Sequence, residues 1–169
     1  FIHRYGHKIN MGSQYQVIDN FLPEKQFKML QDIMMSSYFP WYYIDRQSYT
    51  ATEDSFQFFH NFYREGDSPS EYYSIIQPCL QKLGGKLSRA KAVLTPKSES
   101  SRCSGYHIDY KDMKTSTYYI NTNNGWTEFE EGGKVESVAN RMLIFDSNLI
   151  HAGFSCTDQK TRILINFNY

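Results

Sequence analysis

The sequence predicts a mainly β protein with flanking helices, whose strands form an antiparallel sandwich or barrel. Aromatic side chains make up 17% of the 169 residues, and they favour strands and half-buried pleated surfaces. From about residue 86 onward, short strand-like runs follow one another with tight turns and no helices between them. This succession is typical of an antiparallel sheet that folds back on itself rather than of alternating strands and helices.

Two helices are predicted in the first half of the chain. Pro23 suits the first turn of a helix, and apolar side chains then recur at helical spacing as far as Ser36. A second apolar stripe ends at Gly84, and Pro78 is expected to kink this helix or split it into two pieces. A short strand is predicted before the first helix, at residues 15–19. Two strands or long loops are predicted after it, around residues 41–45 and 55–63.

The second half of the chain is interpreted as almost all strand. A polar loop at residues 96–105 follows the first of these strands, and turns at 123–125 and 131–133 separate later ones. The predicted strands lie at residues 86–95, 115–121, 126–129, 134–138, 141–146, 151–155 and 162–169.

A single domain is expected, because 169 residues with 40% hydrophobic content can bury one proper core but not two comfortable ones. The predicted domain spans residues 15–169. It divides into an N-terminal strand and helices at 15–85 and a β core at about 86–169, and residues 1–14 are interpreted as an extension.

The charge balance and the cysteine pattern narrow the choice of partners and compartment. Basic and acidic residues number 18 each, so we expect no strong attraction to nucleic acid or to an anionic membrane. The three cysteines lack a CxxC spacing, which argues against a disulfide framework and against a zinc knuckle. Neither a membrane span nor the apolar core of a signal peptide is apparent. A cytoplasmic protein is therefore expected.

The stretch Tyr106-His107-Ile108-Asp109 carries the clearest sign of chemistry. In a strand, His107 and Asp109 would share one face, about 6.6 Å apart along the backbone. His151 is the candidate for a third ligand from a distant strand. Two histidines and one carboxylate form the facial triad that leaves positions on Fe(II) open for a co-substrate and O2. Such ligands can meet only if the sheet folds back, as it does in a double-stranded β-helix, or jelly roll.

The order of these residues resembles the 2-oxoglutarate- and Fe(II)-dependent oxygenases, specifically their prolyl 4-hydroxylase-like branch. The family's site motif is matched by His107-x-Asp109, then His151, then Arg162. The resemblance covers about residues 15–169 and implies a cupin-like jelly-roll core with the N-terminal helices packed on one sheet. Supporting matches are residues 17–22 with the N-terminal entry of the branch, 117–121 with its YLN strand, 125–129 with its GGxTxF strand and 141–145 with its GRxLxF strand.

The resemblance implies a role for each site residue. His107, Asp109 and His151 would be the catalytic metal ligands that hold Fe(II). Arg162 would form a bidentate salt bridge to the distal carboxylate of 2-oxoglutarate, and Tyr119 would donate its hydroxyl to the same group. An arginine inside an apolar strand is also costly to bury without an anionic partner, which independently favours an anion-binding role for Arg162.

The implied activity is that of a dioxygenase that hydroxylates an unactivated C–H bond. Oxidative decarboxylation of 2-oxoglutarate would give succinate and CO2, with O2 as second co-substrate and ascorbate as a further candidate cofactor. The first candidate substrate is a prolyl residue, and a protein, a peptide or a small molecule remain open because fold likeness does not transfer substrate.

The sequence departs from the branch at three positions. Asn140 replaces the glycine of the GR motif, and Trp126 replaces the second glycine of GGxT. Leu164 stands where a serine or threonine follows the arginine. These departures concern the wider contacts of 2-oxoglutarate rather than the metal ligands.

Two other classes of function fit part of the pattern. A jelly roll can be a binding module without catalysis, and a metal-dependent hydrolase can use two histidines and an aspartate. A hydrolase would not need Arg162 near its metal, and it would need an acid or base close to the bound water. Further residues that could reach the site are Tyr106, Asn121, Asn148 and Asn166, whereas His60 is interpreted as a structural histidine.

Overall fold

The structure, a computed structural model, describes residues 14–45 and 55–169, so nearly all of the predicted N-terminal extension lies outside the described residues. The described part of the chain forms ten strands, two α-helices and one short 3-10 helix. The strands are β1 (Tyr15–Ile18), β2 (Tyr42–Ile44), β3 (Gln57–Arg64), β4 (Arg89–Pro96), β5 (Lys114–Tyr119), β6 (Trp126–Phe129), β7 (Lys134–Glu136), β8 (Arg141–Asp146), β9 (His151–Phe154) and β10 (Thr161–Asn168). The helices are α1 (Glu24–Met34) and α2 (Gln77–Leu83), and the 3-10 helix at Tyr73–Ile76 leads directly into α2.

The strands form two antiparallel sheets. The larger sheet has the order β1-β8-β5-β10-β4-β3-β2, and the smaller sheet has the order β7-β6-β9. Strands distant in sequence, such as β4 and β10, are direct neighbours, which is how a chain that passes between two sheets must pair. The prediction of a mainly β, antiparallel fold is confirmed. The N-terminal strands β1, β2 and β3 belong to the same large sheet as the core strands.

Both helices pack on one face of the larger sheet, as predicted. Phe27, Leu30 and Met34 form the buried stripe of α1, and Cys79 is the buried residue of α2. Pro78 lies in the first turn of α2, where its missing N–H removes no helical hydrogen bond, so the predicted break is a change from 3-10 to α-helix. No helix in residues 14–45 or 55–169 is long and apolar enough to cross a membrane, and all three cysteines are free.

A second apolar cluster lies between the two sheets. It joins Phe129 and Val135 of the smaller sheet to Leu143 and Leu164 of the larger one. Along β10 the side chains therefore alternate between two environments. Ile163, Ile165 and Phe167 belong to the core under the helices, whereas Arg162, Leu164 and Asn166 line a cavity between the sheets.

Asn140 accounts for one departure from the oxygenase motif. Its φ of 63° lies in the left-handed region, which glycine and asparagine tolerate better than other residues. Its Oδ1 accepts hydrogen bonds from the Leu22 N–H (2.9 Å) and the Tyr118 hydroxyl (2.6 Å), and its Nδ2 donates to the Leu22 carbonyl (2.9 Å). The asparagine thus keeps the backbone that a glycine would allow and also ties the segment before α1 to the sheet.

These contacts make a stability prediction. We expect Asn140→Gly to lower the free energy of unfolding by about 2–4 kcal/mol, since buried polar groups lose their partners while the backbone remains unstrained. Asn140→Ala should cost about 1–2 kcal/mol more because alanine is disfavoured at positive φ. Urea denaturation of the three proteins measures both differences, and a glycine variant as stable as the wild type would contradict the proposed tie.

Candidate metal and anion site

A cavity of about 330 Å³ lies between the two sheets. Inward-facing residues of β4, β5 and β10 line one side, and residues of β6 and β9 line the other. Four of the five residues singled out from the sequence are on this lining, namely His107, Asp109, His151 and Arg162. Residues separated by more than 50 positions in the chain are therefore brought to one space.

The three predicted metal ligands converge. His107, Asp109 and His151 each offer one ligand atom, and these atoms all lie within 4.8 Å of one another. His107 Nε2 and Asp109 Oδ1 are 3.6 Å apart. Atoms bound at about 2.1 Å to one ion are roughly 3 Å apart in neighbouring positions, so a small inward movement of the side chains would complete a site.

The local structure around His107 differs from the prediction. An extended strand was expected to place His107 and Asp109 on one face. The two side chains do converge, but no regular strand forms, because His107 makes an isolated bridge with His151 and the chain bends at residues 109–113. The backbone N–H of each histidine donates to the carbonyl of the other, at 2.9 and 3.0 Å. This reciprocal pair sets the two imidazoles side by side, with ring centroids 4.8 Å apart.

Backbone carbonyls orient both imidazole rings. Nδ1 of His107 contacts the Gly105 carbonyl at 2.8 Å, and Nδ1 of His151 contacts the Leu149 carbonyl at 3.0 Å. A carbonyl can only accept a hydrogen bond, so each Nδ1 carries a proton and donates it. In the neutral ring, the lone pair then remains on Nε2, which is the arrangement of a histidine that ligates a metal through Nε2.

The carboxylate of Asp109 is held in its ionised form. Burial opposes ionisation, but the neighbouring His107 and the charge of Arg89 hold the pKa of Asp109 well below its usual range. The Arg89 guanidinium lies 3.4 Å from Oδ1, and the Asn168 amide donates to Oδ2 at 3.4 Å. Asp109 is therefore a charged ligand with its own supporting contacts.

The two histidines differ in their tendency to take up a proton. Burial lowers the pKa of His151 despite the opposing charge of Asp109, so this ring is neutral at pH 7 and needs no deprotonation to bind a metal. Burial also disfavours the charged form of His107, but the neighbouring Asp109 carboxylate and the Gly105 carbonyl outweigh it and raise the pKa of His107. A metal that binds here must therefore compete with protons mainly at His107.

Arg162 is buried, and its hydrogen-bond partners among the described residues are all neutral. The residue is only 4% exposed, and burial lowers the pKa of its guanidinium. Nε donates to Ser137 Oγ at 2.9 Å, and Nη2 donates to Thr127 Oγ1 at 3.1 Å and to the Trp126 carbonyl at 3.2 Å. These partners are neutral, and no described carboxylate forms an ion pair with Arg162. A buried guanidinium of this kind is costly unless an anion reaches it.

Tyr119 is close to Arg162 but does not line the cavity. Its hydroxyl donates to Thr127 Oγ1 at 2.8 Å, and its ring centroid lies 5.6 Å from the Arg162 guanidinium carbon. Burial raises the pKa of the Tyr119 hydroxyl, so it stays protonated as a donor. A direct hydrogen bond from Tyr119 to a co-substrate stays a prediction.

Sequence reasoning missed Thr127 and Ser137, the two hydroxyl residues that hold the guanidinium of Arg162. Thr127 is the threonine of the segment that resembles GGxTxF, so a signal for it was present. Ser137 follows β7 in a segment without a motif, and only its contact with Arg162 reveals it. Leu164, the departure two residues after Arg162, belongs to the apolar cluster between the sheets, so no hydroxyl is offered there.

The further candidates from the sequence fall into two groups. Asn166 lines the cavity and accepts a hydrogen bond from the Thr117 hydroxyl at 2.9 Å. The others are absent from that lining and make local contacts. Tyr106 donates to Glu128, Asn121 to the Thr161 carbonyl and Asn148 to Asp146, whereas His60 contacts the Pro40 carbonyl and Ser70 Oγ as a structural histidine.

Comparisons with known proteins bear on this arrangement. No protein-family model matches the chain, and no curated protein sequence matches it either. A prolyl hydroxylase from Trichoplax adhaerens, in complex with a peptide fragment of a hypoxia inducible factor oxygen degradation domain, aligns with a TM-score of 0.61 and 16% identity. The alignment covers 94% of this chain and 84% of that one. A prolyl-4-hydroxylase from Pseudomonas putida aligns with a TM-score of 0.61 and 14% identity, over 93% of this chain and 92% of its own.

The chain has the fold of the 2-oxoglutarate- and Fe(II)-dependent oxygenases. The predicted jelly roll, and the predicted likeness in fold to the prolyl hydroxylase branch, are thereby confirmed. A third oxygenase of this fold, a non-heme alpha ketoglutarate dependent carbocyclase from nogalamycin biosynthesis, aligns with a TM-score of 0.62 and 11% identity. That alignment covers 92% of this chain and 79% of the carbocyclase. The same oxygenase fold thus occurs in proteins named for different reactions, so the fold does not choose the substrate.

Proposed function

We propose that this protein is a 2-oxoglutarate- and Fe(II)-dependent dioxygenase that hydroxylates a C–H bond. The observation that carries the proposal is the presence, on one cavity, of a convergent His-Asp-His set and a buried arginine that pairs with no carboxylate of the described residues. Either feature by itself also suits proteins with a different activity. Together they match the two requirements of this chemistry, which are a metal site with open positions and an anchor for a dicarboxylate.

The residues of the cavity fit a divalent iron. His107 and His151 present Nε2, Asp109 presents a charged oxygen, and Arg89 with Asn168 orients the carboxylate from behind. When bound, Fe(II) would supply the activation of O2 that is coupled to the oxidative decarboxylation of 2-oxoglutarate to succinate and CO2. Three protein ligands leave coordination positions for the keto acid and O2.

Arg162 would anchor the distal carboxylate of 2-oxoglutarate. The hydrogen bonds to Ser137, Trp126 and Thr127 use Nε and Nη2 of the guanidinium. Nη1 is not used in these bonds and could donate to an incoming anion. Thr127 and Ser137 hold the guanidinium plane in place, and the Tyr119 hydroxyl donates a hydrogen bond to Thr127 Oγ1. The apolar side chain of Leu164 on the same lining would keep water away from this ion pair and so strengthen it.

The alternative functions are less well supported. Asp109 is the sole carboxylate among the described residues that line the cavity, so a hydrolase would lack a second acid or base beside a metal-bound water. A binding module without catalysis would not need three converging ligands. For the substrate, a prolyl residue in a peptide is the first candidate, because two of the aligned structures are named as prolyl hydroxylases. A small molecule is the second candidate.

Two measurements test the proposal. Anaerobic Fe(II) protein titrated with 2-oxoglutarate should develop the metal-to-ligand charge-transfer band of the chelate. Under air, succinate release should then be followed against a panel of peptides and metabolites, with and without ascorbate. Absence of the band in folded protein that contains iron would exclude 2-oxoglutarate as the co-substrate.

Gly125 gives a steric prediction about the arginine anchor. A Cβ at this position would lie 2.7 Å from Arg162 Cδ, 2.7 Å from the Phe154 carbonyl oxygen and 2.8 Å from Asn123 Oδ1. We expect Gly125→Ala to displace the Arg162 side chain and to weaken 2-oxoglutarate binding by about tenfold or more, since a misplaced guanidinium loses its charge-assisted hydrogen bonds. Anaerobic titration of the charge-transfer band measures the change.

Gly132→Ala is the control for this variant. Its Cβ would meet no atom within 4 Å, although its φ of 103° makes alanine unfavourable there. It should therefore lower stability without changing the affinity for 2-oxoglutarate. Equal affinities in wild type and Gly125→Ala would mean that the arginine tolerates the added methyl group.

A further inference from the structure

Positive charge exceeds negative charge on the lining of the cavity. Arg89, Lys91 and Arg162 line it, together with Asp109 as the one carboxylate from the described residues. The proposed co-substrate accounts for only part of this excess. Lys91 and Arg89 therefore raise the question of what else the cavity binds.

Lys91 lies on the inward face of β4. The neighbouring residues Ala90 and Ala92 belong to the core under the helices, so the alternation of the strand directs Lys91 toward the space between the sheets. Within the described part of the chain, its ammonium forms neither a hydrogen bond nor an ion pair. The ammonium lies over the ring of Phe59, whose centroid is 5.2 Å from Nζ. Burial, and then the charge of Arg89, lower the pKa of Lys91, and the more distant charge of Asp109 offsets them only in part.

The sheet register separates Lys91 from Arg162. Arg162 of β10 pairs with Thr95 of β4, whereas Lys91 pairs with Asn166. Four residues along a strand span about 13 Å, so the two cations stand at different ends of the cavity. Arg89, two residues beyond Lys91, contacts Asp109. Lys91 is thus on the metal side of the cavity, beyond the reach of a carboxylate anchored at Arg162.

A count of formal charges shows what remains after loading. Fe(II) with the Asp109 carboxylate carries one positive charge, and Arg162 adds a second. These two charges balance the two negative charges of 2-oxoglutarate. The charges of Lys91 and Arg89 are then left uncompensated. Arg89 pairs with the Asp109 carboxylate in the metal-free protein, but the charge of that carboxylate is already counted with the metal.

We propose that the primary substrate is itself an anion, whose carboxylate or phosphate binds Lys91 with Arg89 beside it. The inference rests on the proposed dioxygenase function and names the class of substrate for that site. A substrate without an acidic group, including a prolyl peptide that lacks acidic side chains, would leave the half-buried ammonium of Lys91 without a partner. An anionic substrate would gain a charge-assisted hydrogen bond. An acidic small molecule, or a peptide residue that bears an acidic group, has the required chemistry.

The anion site is tested on protein loaded with Zn(II) and 2-oxoglutarate, in which redox-inert zinc prevents turnover. Acetate, methyl phosphate and the neutral acetamide serve as probes, and nitrogen-15 NMR follows the amide shifts of residues 89–93. We expect saturable shifts with one or both anions and none with acetamide. The tighter of the two anions distinguishes a carboxylate-bearing substrate from a phosphorylated one.

Three variants assign the site to Lys91. Lys91→Met should weaken binding of the anionic probe by about tenfold or more, because the charge-assisted hydrogen bond is lost. Lys91→Arg should retain binding, because the charge is kept. Lys28→Met removes an exposed lysine that pairs with Asp32 on α1, and it should leave the probe affinity unchanged.

The outcomes separate this inference from the proposed function. If anaerobic wild-type Fe(II) protein shows no 2-oxoglutarate chelate, the dioxygenase function itself fails. If the chelate forms but acetamide acts like acetate, or neither anion gives a saturable shift, the anionic-substrate inference is overturned. It is also overturned if Lys91→Met binds the anions like wild type. A loss of 2-oxoglutarate binding in Lys91→Met would instead assign the lysine to the metal-bound carboxylate of the co-substrate.

Discussion

His151→Ala and Asp109→Ala are expected to abolish Fe(II)-dependent turnover of 2-oxoglutarate while leaving a folded protein. Each variant removes one of three ligands whose atoms lie within 4.8 Å of one another. Loss of a supporting contact around a metal already costs 10–100-fold in affinity, so loss of a ligand should lower iron affinity by more than about 100-fold. Succinate release, bound iron and circular dichroism together separate loss of the metal from loss of the fold.

His60→Gln is a matched control for the metal variants. His60 is another buried histidine, but its ring nitrogens contact the Pro40 carbonyl and Ser70 Oγ rather than the cavity. Its replacement should lower stability without lowering the iron content of the folded protein. Full turnover in His151→Ala or Asp109→Ala would show that the replaced residue is not a required metal ligand, and the assignment of the triad would be wrong.

Arg162→Leu is expected to weaken 2-oxoglutarate binding about a hundredfold or more, with iron affinity nearly unchanged. The substitution removes the charge and its donors, so the distal carboxylate would be buried without a partner. Removal of one partner from a buried ion pair costs about 3–5 kcal/mol, and each 1.4 kcal/mol corresponds to a tenfold change in affinity. The affinity of Arg162→Lys for 2-oxoglutarate should lie between those of the wild type and Arg162→Leu, because an ammonium keeps the charge but cannot form the bidentate hydrogen bonds of a guanidinium.

Titration of the charge-transfer band under anaerobic conditions measures these affinities. Arg141→Leu provides a control, since Arg141 forms its ion pair with Asp19 and does not line the cavity. It should leave 2-oxoglutarate binding intact. If wild type and Arg162→Leu titrate alike, Arg162 is not the anchor, and the co-substrate assignment fails even if the iron site stands.

Much of the fold follows from local periodicity in the sequence. The stripe of Phe27, Leu30 and Met34 predicts α1 because helical spacing puts apolar residues on one face, and all three are buried against the sheet. The alternation of Arg162, Leu164 and Asn166 with apolar neighbours predicts which side of β10 faces the cavity. Both patterns can be recognised from neighbouring residues alone, without knowing which segments pack against the helix or the strand.

The surroundings of the site do not follow from local patterns. His107 and Asp109 were expected to converge through a regular strand, but a reciprocal pair of backbone hydrogen bonds with His151 positions His107, and a bend positions Asp109. Ser137, which follows a strand of the smaller sheet, contacts Arg162 although no sequence motif predicts this contact. Contacts of this kind depend on how segments far apart in the chain meet.

Residue type and spacing were sufficient to predict the identity and order of the candidate ligands, the antiparallel β class and the inward face of β10. The burial of Arg162 among neutral partners is apparent only in the folded chain, as is the position of Lys91 on the same cavity without an ion-pair partner among the described residues. Desolvation and charge compensation depend on everything that surrounds a side chain, so residue spacing does not reveal them. For Lys91 those surroundings come from strands that meet only after folding.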